Sequence, residues 1–436
     1  MRTWLLALLS FCVVFGRELT LRESMELALK NSPLIRSAQR EAKAQELQVR
    51  AARGALFPKV KLEENFTLGD VPAYAFVSKL NQERVSQQDF NPLKLNSPSS
   101  VSNFETKLTL EVPLWLGGRV QSSRKIAEHQ HRASLLEAER RQEEVLKQVY
   151  QAYAEAATAK RALQVSRQAV EEAREHYRLA EQMHRAGVAL LSDVLRAKVH
   201  LSKAEEHLER AKKDYQIAKR GLELAVGTAL GEFEVVDLGE CPSVNFKGLA
   251  ERALQRKDLR ALEERIKVLQ ESYRLVLSDT LPQVFAFAQY VLNSRDYPLG
   301  AQGSGYLLGV SLSWSFETGF STLRRAQANL ERKAGLEERL KLLRDSAVFE
   351  VERAYADYEK SMLTLRSAQD RIKASQEVLR VVEVRYRNGL ARMVDLLDAQ
   401  VELDRARFEK VQAVNACHKA YAELLFNAGL TQEVLK

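Results

Sequence analysis

Two copies of one unit make up this chain, offset by about 202 residues, and they agree best where they turn a corner. Gly187 and Asp193 fall on Gly389 and Asp395, and Leu195, Ala197, Leu201 and Ala204 fall on Leu397, Ala399, Leu403 and Ala406. Gly227 falls on Gly429, and upstream Val149, Ala152 and Tyr153 fall on Val351, Ala354 and Tyr355. A repeat this long exceeds a solenoid unit and implies a duplicated half with pseudo-two-fold organisation. The 436 residues therefore read as one elongated body, although length alone would allow two or three globular domains.

Each half reads helix, strand, loop, strand, long helix, turn, helix. The first helices cover residues 21–30 and 33–56, with Pro33 in a favourable first-turn position and Pro58 as the stop. Their counterpart covers 249–277, with Pro282 at the matching stop. Period-two segments follow. Val60, Leu62, Phe66 and Leu68 alternate with Lys61, Glu63, Asn65 and Thr67; residues 104–115 and 306–316 alternate in the same way. Residues 284–292 form a fourth, less cleanly alternating strand. Strands of roughly ten residues with one apolar and one polar face have the length and pattern of transmembrane β-strands, a pattern that soluble sheets share. Residues 69–103, rich in Asn, Pro and Ser, break both periodicities and read as the larger surface loop.

The helices are more specific. Val149, Ala156, Leu163, Val170 and Tyr177 recur every seventh position beside a second seam of Ala152, Ala159, Ser166, Ala173 and Ala180. In the second half Val351, Tyr358, Leu365, Ile372, Leu379 and Tyr386 run beside Ala354, Ser361, Ala368, Ser375 and Val382. A strict seven-residue repeat imposes left-handed supercoiling, and a large seam beside a small one lets helices interlock closely. A helix over 120–186 would be roughly 100 Å long at 1.5 Å per residue. Two shorter helices stacked end to end nearly match it, so each half predicts a two-stranded rod.

Composition excludes several classes. The formal charge of +8 comes from acids and bases interleaved along helices, a solvated surface and not a nucleic-acid footprint. Arg2 and the apolar run from Leu5 to Phe15 read as a secretory signal over residues 1–16, too short to span a bilayer. Bulky Phe11 precedes Cys12, where a lipidation signal would carry a small residue. The mature chain keeps Cys241 and Cys417, far apart in different contexts, so no disulfide framework or metal spacing is expected. The paired histidines His129 with His131 and His200 with His207 sit among Glu and Arg and read as exposed surface. No phosphate loop, nucleophile elbow or acid pair with a helper base is present, so neither an enzyme nor a cofactor is indicated.

Four membrane-type strands cannot close a barrel, whose practical minimum is about eight, and open edges are not tolerated in lipid. Strands placed in a membrane must therefore be shared by several chains. Both turns, 186–191 and 388–393, combine a helix-stopping glycine, Gly187 or Gly389, with apolar residues that nothing in their own hairpin obviously covers: Val188, Leu190, Leu191, Leu390 and Met393. Asp193 and Asp395 follow those glycines, where an acid complements the next helix N-terminus; Asp398, one turn on, is less well explained as a cap.

With these features in this order the chain resembles the TolC family of outer-membrane channel proteins. The resemblance spans nearly the whole mature chain. It includes Leu19-Thr20-Leu21, Ala28-Leu29, Asn31-Ser32-Pro33, Leu56-Phe57-Pro58 and Val112-Pro113-Leu114-Trp115-Leu116-Gly117-Gly118-Arg119, besides the two tips. The second strand-to-helix junction keeps only Gly319. The family implies a mixed α and β fold: four membrane strands per chain contributing to a twelve-stranded barrel in a homotrimer, continued by a long coiled-coil α-helical barrel into the periplasm. It implies the exit duct of a tripartite efflux or type I secretion system, passive, seated in outer-membrane lipid, and served by a periplasmic adaptor and an inner-membrane pump. Asp395 and Asp398 match two inward-facing aspartates that ring the periplasmic entrance. Tyr386 matches a tyrosine that holds it closed, with Asp193 its partner acid. The family's entrance arginine falls on Ala391, so Arg392 next door is the candidate replacement. The tips Gly187, Val188, Leu190, Leu191, Gly389, Leu390 and Met393 become adaptor contacts. The expected organisation is a signal peptide at 1–16, a first repeat at 17–230 with strands 60–68 and 104–115 and a hairpin at 120–227, and a linker at 231–248 on the helical waist. The second repeat covers 249–436, with strands 284–292 and 306–316 and a hairpin at 320–429. A periplasmic coiled-coil scaffold or adhesin without a pore is the alternative, one that requires neither apolar-faced strands nor glycine-tipped paired hairpins.

Overall fold

A computed structural model describes residues 17–435; the expected signal peptide at 1–16, Cys12 included, lies outside them. The chain divides into two units. One comprises Lys43–Ala133 and Leu262–Glu338, the other the chain up to Ala42, Ser134–Ala261 and Arg339 onward.

The first of these carries a single four-stranded antiparallel sheet. Its strands are β2 (Lys59–Gly69), β3 (Val101–Trp115), β5 (Gln283–Ser294) and β6 (Gly303–Ser313), in the order β2-β3-β5-β6. Pairing sets Leu62 beside Leu108, Leu108 beside Tyr290 and Tyr290 beside Tyr306. One row on, Val60, Leu110, Ala288 and Leu308 line up. Because side chains alternate between faces, these rows gather most of the apolar residues on one side, with Phe285, Phe287, Val291 and Leu307 on the other. There Leu62, Phe66, Leu108, Leu110, Val310 and Leu312 are all exposed. Lys61, Glu63, Lys107, Thr109, Gln289 and Ser311 share the opposite face. The weaker alternation of β5 has a packing cause: Phe287 belongs to the polar face but lies over Gly309, where a Cβ would come within 2.7 Å of its ring. The strands run 11 to 15 residues, and among the described residues no helix is long and apolar enough to cross a membrane.

The segment read as the larger surface loop, between β2 and β3, carries short helices of its own. It forms α3 (Pro72–Asn81), a 3-10 turn (Gln87–Phe90) and α4 (Pro92–Asn96). Prolines at the first helical positions start both helices, and the Phe76 and Phe90 rings meet edge-on at 5.6 Å.

In the other unit a parallel ribbon pairs β1 (Arg17–Leu19) with β4 (Phe233–Val235). Thr20 then caps α1 (Leu21–Asn31) by reciprocal bonds with Glu23 of 2.9 and 3.2 Å. The Tyr153 hydroxyl lies 2.7 Å from the carbonyl oxygens of both Leu19 and Val236. It closes a core that includes Met25, Ile35, Leu146 and Leu222. The long helices α5 (Arg119–Arg185) and α9 (Ser321–Arg387), 67 residues each, have residues in both units, while the return helices α6 (Leu191–Val226) and α10 (Met393–Asn427) belong to this one. Burial follows the seven-residue seams: Val149, Ala156, Leu163 and Val170 are buried in α5, as are Val351, Tyr358 and Leu365 in α9. The single helix expected over 249–277 is two, α7 (Leu249–Ala253) and α8 (Lys257–Leu277). Between them Arg256 grips Asp258 with two bonds (3.1 and 2.7 Å) and Glu350 with a third (2.6 Å).

Two further expectations are corrected. Cys241 and Cys417 form a disulfide, Cα–Cα 6.1 Å, that ties the inter-repeat segment to α10. The same segment is held where the Tyr358 hydroxyl donates to Pro242 O (2.5 Å) and where Phe246 meets the Tyr355 ring at 4.9 Å. The histidines are not uniformly surface groups. His129 Nδ1 lies 2.7 Å from Glu264 Oε2 with both side chains mostly covered, and His176 and His418 are buried.

Candidate functional site

The ends of the two long hairpins are built alike. Gly187 (φ +75°) and Gly389 (φ +73°) adopt the left-handed conformation that stops α5 and α9. At the first tip Gly187 N donates to His184 O (3.0 Å) and Val188 N to Met183 O (2.9 Å). At the second, Gly389 N donates to Tyr386 O (2.9 Å) and Leu390 N to Arg385 O (2.8 Å). Both are Schellman closures, which usually tuck the residue after the glycine against the helix. Here Val188 and Leu390 remain exposed, with Leu190 and Leu191 beside them.

The acids after each turn act first on their own backbone. Asp193 accepts from Leu190 N (3.3 Å) and Asp395 from Arg392 N (2.9 Å), so each carboxylate satisfies a donor at the start of its helix. Arg392 also reaches Asp395 Oδ1 (3.4 Å) and is otherwise exposed. The candidate lock arginine thus pairs within its own turn. The backbone bond to Arg392, then its guanidinium, holds the Asp395 carboxyl below the usual range. Asp398 is exposed on α10.

Above the turns the four helix ends share a core of Ala180, Val194, Ala197, Tyr386, Met393, Leu396 and Leu397. Met393 is fully buried there, so the expectation of an exposed tip residue fails; the side chain fills the space beside Tyr386 and cannot face a partner. The Tyr386 hydroxyl is buried and has no hydrogen-bond partner among the described residues, so the expected bond to Asp193 is not made within the chain. Burial, then the charge of Asp193, raises its pKa.

Next to this core lies a polar cluster that sequence reasoning missed. Arg407 holds Glu172 with two bonds of 2.6 and 3.0 Å. Gln400, almost fully buried, donates to Glu172 (2.6 Å) and Asp404 (3.0 Å) and lies 3.1 Å from His176 Nε2. Burial and then the neighbouring Glu172 charge push the Asp404 carboxyl up to about 6. Burial works against the Glu172 charge too, yet Arg407 and Gln400 keep its carboxyl below the ordinary value. Among the described residues no group of three or more His, Cys, Asp or Glu is placed to hold a metal.

The profile of the family described as "Outer membrane efflux protein" matches residues 25–228 and 249–430, one segment per copy of the repeat. No curated protein sequence matches significantly. A membrane protein from Pseudomonas aeruginosa superposes at a TM-score of 0.77 with 20% identity, over 94% of this chain and 93% of its own. The outer membrane protein VceC from Vibrio cholerae gives 0.75 and 17%, over 94% and 96%. The Campylobacter jejuni CmeC outer membrane channel gives 0.75 and 15%, over 94% and 86%. At these identities the likeness is one of fold.

Proposed function

Because the chain belongs to the outer membrane efflux protein family, and is thus a passive outer-membrane efflux channel and not an enzyme, we propose that it is the exit duct of a tripartite export system. Three copies share one barrel, and a periplasmic adaptor couples the duct to an inner-membrane pump. The observation that carries this reading is the sheet. Its apolar face is exposed, its other face carries most of the polar residues alongside Phe285, Phe287, Val291 and Leu307, and both β2 and β6 keep an unpaired edge. Lipid does not tolerate such edges; three four-stranded sheets joined edge to edge remove them and enclose the polar face. A scaffold without a pore leaves the apolar face unexplained.

The hairpin tips are the entrance and the adaptor-docking end in this reading. Asp395 and Asp398 of three copies place six carboxylates at the narrow end, where converging like charges attract cations. The Tyr386 hydroxyl is buried and unpartnered among the described residues, so it bonds a neighbouring copy only once the helix ends shift to uncover it; such a tie would hold the entrance closed. Opening then means breaking that tie while the long helices move as rods.

The test combines particle mass with single-channel recording on detergent-extracted protein. A trimeric particle with small, cation-selective conductance is expected. Asp395→Ala with Asp398→Ala should weaken selectivity and abolish block by multivalent cations, while Tyr386→Phe should raise conductance. A monomeric particle in the soluble fraction overturns the channel. A trimer whose double alanine variant keeps wild-type selectivity places the gate elsewhere.

A further inference from the structure

The folded segment between β2 and β3 sits on one particular face of the sheet. Thr67 pairs with Asn103, and Asn293 pairs with both Glu105 and Gly303, so Thr67, Asn103, Asn293 and Gly303 share the polar face. Each of them meets the segment or its network. Gln82, just after α3 and 1% exposed, donates from Nε2 to Ser102 O (2.7 Å) and to Asn103 Oδ1 (2.9 Å). Asn103 passes the chain on, its Nδ2 donating to Asn293 Oδ1 at 2.9 Å. Arg84 Nη1 donates to Gln82 Oε1 (2.9 Å), so the buried amide is satisfied at both ends. The Tyr74 hydroxyl touches that of Thr67. A Cβ on Gly303 would lie 2.0 Å from the Asn81 carbonyl oxygen, so the last turn of α3 rests directly on the glycine.

Chain topology places this contact. α2 (Pro33–Gly54) leads into β2 and β3 leads out into α5, so the connection from Gly69 to Val101 lies at the sheet end remote from those helices. That end is the outer mouth if the polar face lines a channel.

We propose that residues 70–100 are a built-in constriction of the outer mouth, folded inward over the lumen face, and that this cap limits the size of solute passing between barrel and exterior. The inference rests on the channel reading above. Buried amides that lose their partners cost more than exposed ones, so the Gln82–Asn103–Asn293 chain makes the inward fold the resting position. The Lys79–Asp89 ion pair (3.0 Å), with both side chains largely covered, stiffens the cap from within.

The test uses full-length protein in intact cells, with Thr109→Cys on the polar face of β3 as a reporter. Native Cys241 and Cys417 are bonded to each other and do not compete. Labelling from outside is followed with a small maleimide and with one carried on a bulky polymer, in three backgrounds: otherwise wild type, Gln82→Ala, and residues 72–98 replaced by an Asn-Gly turn. The small reagent should label all three at similar rates. The bulky one should react roughly tenfold or more faster once the cap is removed, with an intermediate gain for Gln82→Ala, which keeps the test decisive if the deletion does not assemble. Equal bulky-reagent rates in wild type and the variants overturn the constriction while leaving the channel in place. Failure of the small reagent to reach the thiol in all three backgrounds overturns the channel reading, and the constriction with it.

Discussion

Leu191 and Met393 occupy the same position in the two copies of the repeat, yet Leu191 is 58% exposed and Met393 is fully buried. Sequence duplication therefore does not carry over into equivalent environments. The second hairpin turns its first α10 residue inward against Tyr386 and Leu396, while the first leaves its counterpart uncovered.

Met393→Ala should accordingly cost about 2–5 kcal/mol of stability, the range for emptying a packed apolar site. Leu191→Ala should stay within about 0.5 kcal/mol. Urea unfolding of the two variants in detergent checks the contrast. A complementary export assay should show the reverse order of severity for charged substitutions at the exposed positions: Val188→Asp or Leu390→Asp blocks export without loss of folded protein. Normal export in both would remove the tips from the docking surface.

Asp404 should make this region pH-sensitive in a definite direction. Its folded-state pKa, about 6, lies above the ordinary value of 3.8, so the folded chain binds the proton more tightly than the unfolded chain does. Below about pH 4 both states are protonated and the residue is neutral in its effect. Stability then falls as pH rises towards 6, and the penalty, on the order of 3 kcal/mol, is complete above that. Asp404→Asn keeps an acceptor for Gln400 and Arg407 and removes the penalty. The variant should therefore be more stable than wild type at pH 7–8 and nearly equal to it near pH 4. Thermal midpoints across that range decide the matter, and parallel curves would show that Asp404 titrates normally.

What was legible in the sequence follows from range. The seams of Val149, Leu163, Val351 and Tyr358 were visible because a seven-residue period is written into one helix, and the strand faces because alternation is local. The Cys241–Cys417 bond was not, since it depends on how the inter-repeat segment lies on α10, 176 residues away in sequence. Glu172, Gln400 and Arg407 were hidden for a related reason: charge on nearly every turn of these helices makes a buried pair look like a solvated one. The helices between β2 and β3 were too short for periodicity to declare itself, α4 having 5 residues and α3 having 10. The same limit explains Met393, whose local context is that of an exposed turn residue and whose burial is decided by the neighbouring hairpin.

The disulfide closes a loop of well over a hundred residues, the regime in which a cross-link most restricts the unfolded chain. Cys417→Ser, or reduction of the wild-type protein, should lower stability by about 2–4 kcal/mol. The effect should be centred on the inter-repeat segment, where the bond acts together with the Tyr358 contact to Pro242 and the Tyr355 contact to Phe246. Hydrogen exchange with and without reductant reads this directly: amides near 240–247 should lose protection first, while the sheet of the other unit is unaffected. Unchanged exchange there would mean that the aromatic contacts alone hold the segment.

Thr109 and Leu110 are neighbours on β3 and point to opposite faces of the sheet, flanked by β2 on one side and β5 on the other. Edge effects therefore cancel between them, which makes the pair a clean probe of which face meets lipid. Leu110 lies in the row with Val60, Ala288 and Leu308, inside the apolar band. An arginine there has no water within reach and should cost about 2–4 kcal/mol. At Thr109 the same side chain projects among Lys61 and Gln289 into the polar face, where long charged groups are solvated, and should cost little. Folding of Leu110→Arg and Thr109→Arg into lipid vesicles, followed by urea titration, measures both. A large loss for Leu110→Arg alone assigns the apolar face to the bilayer. Equal losses would mean that both faces are buried in protein, and the barrel reading would fall.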